Sequence, residues 1–169
     1  GRIHLAWDHH GDSLHYARGE APGSLILEVQ PGMVGREEAR VTYPEFHRFS
    51  DGSLLFAYRD GASGNGNLVL NHYDLVSQSW SRLQDKLLDG ERERNAYWQL
   101  FIDAQDRIHL SWVWREGPGV QTNHDLAYAR STDRGKTWTQ IDGQPYSLPI
   151  TAANAGYAWF IPPEQELIN

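Results

Sequence analysis

Ser131-Thr132-Asp133-Arg134-Gly135-Lys136-Thr137-Trp138 decides how the rest of the chain is read. Asp133 and Gly135 stand where a hairpin turn needs a side chain that bonds its own backbone and a residue that accepts φ > 0. Ser131 can bond across the turn. Trp138 opens the following strand and can fold back over the turn as a hydrophobic lid. The stretch before it alternates (Leu126, Tyr128, Arg130) and so does the stretch after it (Thr137, Thr139, Ile141), which predicts a β-hairpin. The octapeptide is therefore a scaffold turn and a clue to fold, with no catalytic duty expected of it.

Working outward from this turn, three segments superimpose. Gly1-Arg2-Ile3-His4-Leu5-Ala6-Trp7 is followed by Leu14-His15-Tyr16-Ala17-Arg18. Asp51-Gly52-Ser53-Leu54-Leu55-Phe56-Ala57-Tyr58-Arg59 is followed by Leu68-Val69-Leu70-Asn71-His72-Tyr73. Asp106-Arg107-Ile108-His109-Leu110-Ser111-Trp112 is followed by Leu126-Ala127-Tyr128-Ala129-Arg130. Aligned on Ile3, Leu54 and Ile108, the repeats lie 51 and 54 residues apart. A period near 50 with several short strands per unit predicts an all-β chain built as a β-propeller of four-stranded antiparallel blades. The units run over 1–40, 41–92 and 93–145, and 146–169 leads into a further blade. Propellers carry about 4 to 8 blades, so about three blades predict an interior slice of a longer protein. In the second unit the outer turn, Asp74 to Trp80, keeps the acid and the Trp but not the Gly. Gln84 to Glu93 is charged and reads as a helical turn or a solvated loop.

Composition narrows the function classes. The 169 residues are 40% hydrophobic, with seven Trp, eight Tyr, 16 Gly and 8 Pro, which suits an all-β core with many turns. A net charge of −7 with no Lys/Arg-rich run argues against a nucleic-acid partner. No apolar run approaches the ~20 residues of a membrane-spanning helix. There is no cysteine, hence neither a disulfide framework nor a thiolate site. No complete metal-ligand set is visible, so no cofactor is expected, although a structural Ca²⁺ or Zn²⁺ would be compatible with such a scaffold.

The polar residues that break the pattern cluster after the central strands. Asp8-His9-His10-Gly11 follows the first, and its histidines read equally as ligands, general bases or loop supports. Tyr58-Arg59-Asp60-Gly61 follows the second. Arg59 either pairs with an acid such as Asp60 or forms a fork for a carboxylate ligand. Gly61 to Asn67 reads as a tight loop, because no helix follows to make it an anion cradle. Trp112, Trp114, Arg115 and Glu116 end the third, and Asn123-His124-Asp125 precedes its partner. Tyr43, before Pro44, and Asn95, Tyr97 and Trp98 open the second and third units. Tyr43 reads as a packed aromatic fixed by an X-Pro turn or as a site residue. His9 or His10, Arg59 and Arg115 fall at equivalent strand ends, where a convergent polar site becomes geometrically plausible.

Taken together, Asp8-His9-His10-Gly11, Thr42-Tyr43-Pro44-Glu45-Phe46, Tyr58-Arg59-Asp60-Gly61 with Ser63-Gly64-Asn65-Gly66-Asn67, Arg94-Asn95-Ala96-Tyr97-Trp98-Gln99 and Ser111 to Glu116 up to Asn123-His124-Asp125 resemble the BNR repeat-containing family. That family includes ulvan-lyase-like polysaccharide lyases with seven-bladed propellers. The resemblance implies β-elimination on a secreted or periplasmic protein's acidic polysaccharide substrate. By the same resemblance His10, Tyr43 and Arg59 are the catalytic candidates, and His9, Asn95, Tyr97, Arg115 and His124 the substrate-binding ones. The family has a further catalytic His about one strand ahead of Asp8, so the resemblance implies that this stretch alone is inactive. Two other readings compete: a sialidase-like glycoside hydrolase and a non-catalytic carbohydrate-binding or scaffold propeller.

Overall fold

A computed structural model describes residues 1–165 and Leu167. The chain forms twelve strands: β1 (His4–Ala6), β2 (His10–Asp12), β3 (Tyr16–Gly19), β4 (Leu27–Gln30), β5 (Val41–Arg48), β6 (Leu54–Ala62), β7 (Asn65–Asp74), β8 (Ser79–Leu88), β9 (Asn95–Ile102), β10 (Ile108–Arg115), β11 (Asn123–Ser131) and β12 (Tyr157–Trp159). A 3-10 turn over Val120–Thr122 is the one helical element among the described residues. The strands make three antiparallel sheets, ordered β1-β3-β4, β2-β5-β6-β7-β8 and β12-β11-β10-β9. The chain is thus all-β, as the alternating pattern predicts.

The second sheet is buried on both faces, and its alternation shows how. Phe56, Tyr58 and Val69 pack with Tyr16 of the first sheet and with Leu14 just ahead of it. Leu55, Ala57, Leu68 and Leu70 point the other way, into a core shared with Trp98, Ile108, Leu110 and Trp112 of the third. Successive side chains of a strand face opposite sides, so β6 and β7 each reach both cores and tie the three sheets together. Arg59 shares the parity of Leu55 and Ala57. It stands where that apolar row reaches the strand's far end.

Four-stranded units are realised unevenly. The three sheets hold three, five and four strands and do not close into a ring. β2, expected within the first unit, crosses to the second sheet and pairs with β5, His10 against Thr42 and Asp12 against Val41. The charged stretch from Gln84 is neither a helical turn nor a loop at its start. It continues β8 to Leu88, because Leu87 and Leu88 are fully buried and Gln84 donates to the carbonyls of Gly135 and Lys136. The strand expected after Trp138 shrinks to a bridge, Thr139 against Arg130, and a turn at Asp142-Gly143 brings Pro145 back to Thr139. Tyr157–Trp159 pairs with β11 at Leu126 and Ala127 and so lies in the third sheet.

The Ser131–Trp138 turn is built as its residues dictate. Asp133 accepts from the Thr137 amide (2.9 Å) and hydroxyl (2.6 Å), the Lys136 amide (3.0 Å) and the Ser131 hydroxyl (2.8 Å). Arg134 and Gly135 take φ of 62° and 91°, and the buried Trp138 ring donates to the Gly135 carbonyl at 3.1 Å. Arg134 then reaches out to the carboxylates of Asp51 and Asp106 and lies 5.1 Å over the Phe49 ring. One turn thereby ties together the hairpin turns that open β6 and β10. In the second sheet's outer turn, Asp74 accepts from Val76 and Ser77, and Gln78 supplies the positive φ (51°) that Gly supplies in the third.

Candidate functional site

The site is assembled at the opposite end of the sheets from the Ser131–Trp138 turn. β5 bulges between Thr42 and Glu45, where Pro44 has no N–H for the ladder. Tyr43 therefore takes φ of 54°, a conformation that bulky residues rarely adopt. The bulge re-aims its ring outward, 43% exposed, instead of packing it away. The ring sits 5.9 Å from that of Tyr97 on β9. Tyr43 and Tyr97, with Glu45, Trp98 and Gln99, line a hollow of about 240 Å³.

Arg59 lies beneath these rings. Its guanidinium carbon is 5.1 Å from the Tyr43 centroid and 6.0 Å from that of Tyr97. The side chain is 3% exposed, yet Nε and Nη1 meet no acceptor among the described residues. Asp60 does not neutralise it, because adjacent strand residues face opposite sides and no ion pair joins them. The stem of Arg59 lies across Gly66, where an added Cβ would fall 2.7 Å from Cδ. Buried cations are ordinarily paired. Two unpaired donors of one guanidinium, beneath two phenols that line the hollow, match the fork that a bidentate carboxylate takes.

Arg115 grips the other side of Tyr97. It donates from Nη1 to the phenolic oxygen at 2.9 Å and stacks 3.9 Å over the ring, while Nε donates to Asn123 at 2.6 Å. The Ser63 hydroxyl approaches the same phenolic oxygen at 3.3 Å. Burial raises the proton affinity of Tyr97, but hydrogen bonds with Ser63 and Arg59 and the charges of Arg115 and Arg59 outweigh it, and the pKa is lowered. Tyr43 moves the other way. Burial and then the Tyr97 oxygen raise its pKa, against the smaller opposing pull of Arg59 and Arg115. Two adjacent phenols are thus driven apart in acidity.

The remaining candidates divide. Asn95 is fully buried and touches no open space; its Oδ1 accepts from the Gly64 amide and its Nδ2 donates to the Ala96 carbonyl at 3.2 Å. His10 stands in one register row with Thr42 and Arg59, and its ring makes no hydrogen bond or ring contact among the described residues. His9 folds back on its own loop: Nε2 accepts from the His15 amide at 2.8 Å, and the ring lies 5.7 Å from that of His15. Burial lowers its pKa. His124 is held between Glu116 (2.8 Å) and Asp125 (2.9 Å), and Glu116 in turn accepts from Arg94 at 2.8 Å. No hydrogen bond or ring contact joins His9 or His124 to the two tyrosines. Ser63 and Asn123 are the contacts that reading the sequence missed. Their only signal was membership of the Gly-rich turn and of Asn123-His124-Asp125. No group of three or more His, Cys, Asp or Glu side chains is placed to hold a metal among the described residues.

Comparison with known proteins bears on this arrangement. The model of the BNR repeat-containing family matches residues 1–169. An ulvan lyase, long isoform, of Alteromonas sp. (strain LOR) is 49% identical over 122 residues, covering 66% of this chain and 12% of the relative. The short-isoform ulvan lyase of Alteromonas sp. (strain LOR) is 28% identical over 120 residues, covering 65% of this chain and 23% of the relative. A crystal structure of a polysaccharide lyase superimposes with a TM-score of 0.82 at 18% identity, over 97% of this chain and 46% of the other. An ulvan lyase of polysaccharide lyase family PL25, bound to a segment of glucuronic acid and 3-sulfated rhamnose, gives 0.75 at 16% identity, over 95% and 43%. At these identities the structures speak for the fold. The chain spans 12% to 23% of the length of those two curated relatives. With a family model matched along its whole length, the chain belongs to the BNR repeat-containing family.

Proposed function

We propose that this chain is a set of propeller blades carrying part of the active site of a polysaccharide lyase that cleaves uronic-acid glycans by β-elimination. The observation that carries the reading is Arg59, a buried guanidinium beneath the Tyr43 and Tyr97 rings whose Nε and Nη1 meet no acceptor among the described residues. The matched relatives named as ulvan lyases support the same substrate class. Secretion follows from that class of substrate.

In this reading Arg59 binds the uronate carboxylate through Nε and Nη1, so negative charge delocalised from C5 in the transition state meets a preorganised cation. Tyr97, the phenol with the lowered pKa, is the more readily ionised and so the one available as a phenolate base, while Tyr43, with the raised pKa, keeps its proton and is available as the donor. Tyr97 takes the C5 proton. The electron pair of the C5–H bond becomes the C4–C5 double bond, the C4–O bond breaks, and the departing oxygen takes its proton from Tyr43. His10, one register row away, is the next candidate to exchange protons with the pair. Arg115 orients Tyr97, and His9, Asn95 and His124 act from the periphery.

Calorimetric titration of the chain with a glucuronate-containing oligosaccharide tests the carboxylate fork. Arg59→Ala should weaken binding at least tenfold while leaving any affinity for the carboxyl-reduced, neutral oligosaccharide unchanged. Equal losses for both ligands would refute the assignment. Absorbance from a new C4–C5 double bond in the product separates elimination from hydrolysis.

A further inference from the structure

The Gly-rich turn between β6 and β7 reads in sequence as a bare connector. Its loop residues are Ser63 and Gly64, between the paired Ala62 and Asn65. Gly64 takes φ of 75°, as the second loop residue of a type II turn must. A Cβ there would fall 3.0 Å from the Gly117 Cα, so the turn is seated against the segment after β10. Two further ties hold it to the third sheet: Asn95 accepts the Gly64 amide from a fully buried position, and the Gly66 amide donates to the Arg94 carbonyl at 3.1 Å. Gly61 has φ of 120°, and its amide donates to the Arg40 carbonyl at 3.0 Å. A short connector needs none of this anchoring. Its effect is to fix one side chain, Ser63, with Oγ 3.3 Å from the Tyr97 phenolic oxygen.

We infer that Ser63 is a positioning residue of the site: with Arg115 it forms a two-donor pocket for the Tyr97 oxygen, and Asn95 acts by holding the turn that carries Ser63 instead of touching substrate. Arg115 from β10 and Arg59 from β6 supply positive charge beside that oxygen. Tyr43 and Glu45 from β5 supply a neighbouring phenol and a carboxylate of the same hollow, and Ser63 supplies a neutral hydroxyl that donates once Tyr97 is ionised. The inference rests on the lyase reading for its consequence in catalysis, but the pocket itself can be measured without substrate.

The test is the ultraviolet absorbance of tyrosinate during a pH titration of the whole chain. Subtracting the curve of Tyr97→Phe isolates Tyr97, and the same subtraction is made in a Ser63→Ala background. Loss of one donor to the phenolate should raise the Tyr97 midpoint by about one unit. Ser63→Thr, which restores a hydroxyl, should return it most of the way, and Asn95→Ala should raise it as Ser63→Ala does. Ser63→Ala leaves the Gly64–Asn95 bond intact, and urea unfolding should confirm that it folds. A midpoint unmoved by Ser63→Ala, or moved equally by Ser63→Ala and Ser63→Thr, overturns the inference. A shifted midpoint in a chain that binds no uronate would leave the pocket standing and remove the lyase reading.

Discussion

Replacing Arg59 by Met should stabilise the fold while abolishing recognition of a carboxylate. The side chain is 3% exposed and leaves Nε and Nη1 without acceptors among the described residues. An unsatisfied buried donor costs about 1–3 kcal/mol, more when charged. Attraction to the Tyr43 face, 5.1 Å away, returns about 0.5–2 kcal/mol. Met keeps the unbranched stem that packs over Gly66 and removes the charge and both open donors. The difference predicts Arg59→Met to be more stable by about 1–2 kcal/mol. Urea unfolding at pH 7 measures it as a raised midpoint at constant slope. Arg115→Met is the control. Arg115 already donates to Tyr97 and Asn123, so its loss breaks two buried hydrogen bonds and should destabilise by about 2 kcal/mol. If Arg59→Met proves destabilising by more than 1 kcal/mol, comparable to the control, Arg59 is a satisfied structural cation and the argument for an anionic ligand fails.

Two other expectations concern the scaffold. Asp133→Ala removes the acceptor for the Thr137 and Lys136 amides and the Ser131 and Thr137 hydroxyls. Water can replace some of these bonds at a half-buried site, so the loss should be about 1–2 kcal/mol in urea unfolding, with uronate binding unaffected. His4 donates or accepts at 2.7 Å with the Tyr16 hydroxyl, and burial, with smaller contributions from Arg18 and Arg2, lowers its pKa to about 4. Between pH 6.5 and 4 the unfolded chain binds the proton that folded His4 refuses, so its contribution is complete above pH 6.5 and fades as pH falls toward 4. The stability difference between wild type and His4→Gln, followed by unfolding at pH 7, 5.5 and 4, should shrink by about 1–2 kcal/mol after allowance for partial exposure. A difference independent of pH would refute it.

Local chemistry made the scaffold legible and long-range pairing hid part of the site. The Ser131–Trp138 turn and the strands within each repeat follow from residues close in sequence. Equivalent positions even repeat a contact: His4 meets Tyr16, and His109 meets Tyr128, each at 2.7 Å. The crossing of β2 to β5 carries no local signal, because three exposed residues pair wherever an edge is free. Ser63 likewise reads as a turn residue until β9 brings Tyr97 beneath it. Asn95 next to Tyr97 reads as a substrate contact, since nothing in its neighbours reveals that it is fully buried.

The two ends of β6 differ in how their charges are met, and that difference is the ground for the proposed site. At the Leu54 end, Arg134 is answered by Asp51 and Asp106, and Asp106 also holds the Ser50 amide and hydroxyl at 2.7 and 2.8 Å. Arg134, Asp51 and Asp106 answer one another inside the chain, and the result is a clamp. At the Arg59 end the same strand delivers a cation to two phenols, and among the described residues no carboxylate pairs with it. A fold gains nothing from desolvating a guanidinium in that way, since an apolar side chain of similar length would pack on Gly66 without the penalty. The arrangement becomes favourable when an anion from outside the chain completes it, and that missing partner is the argument for a carboxylate-bearing ligand at Arg59.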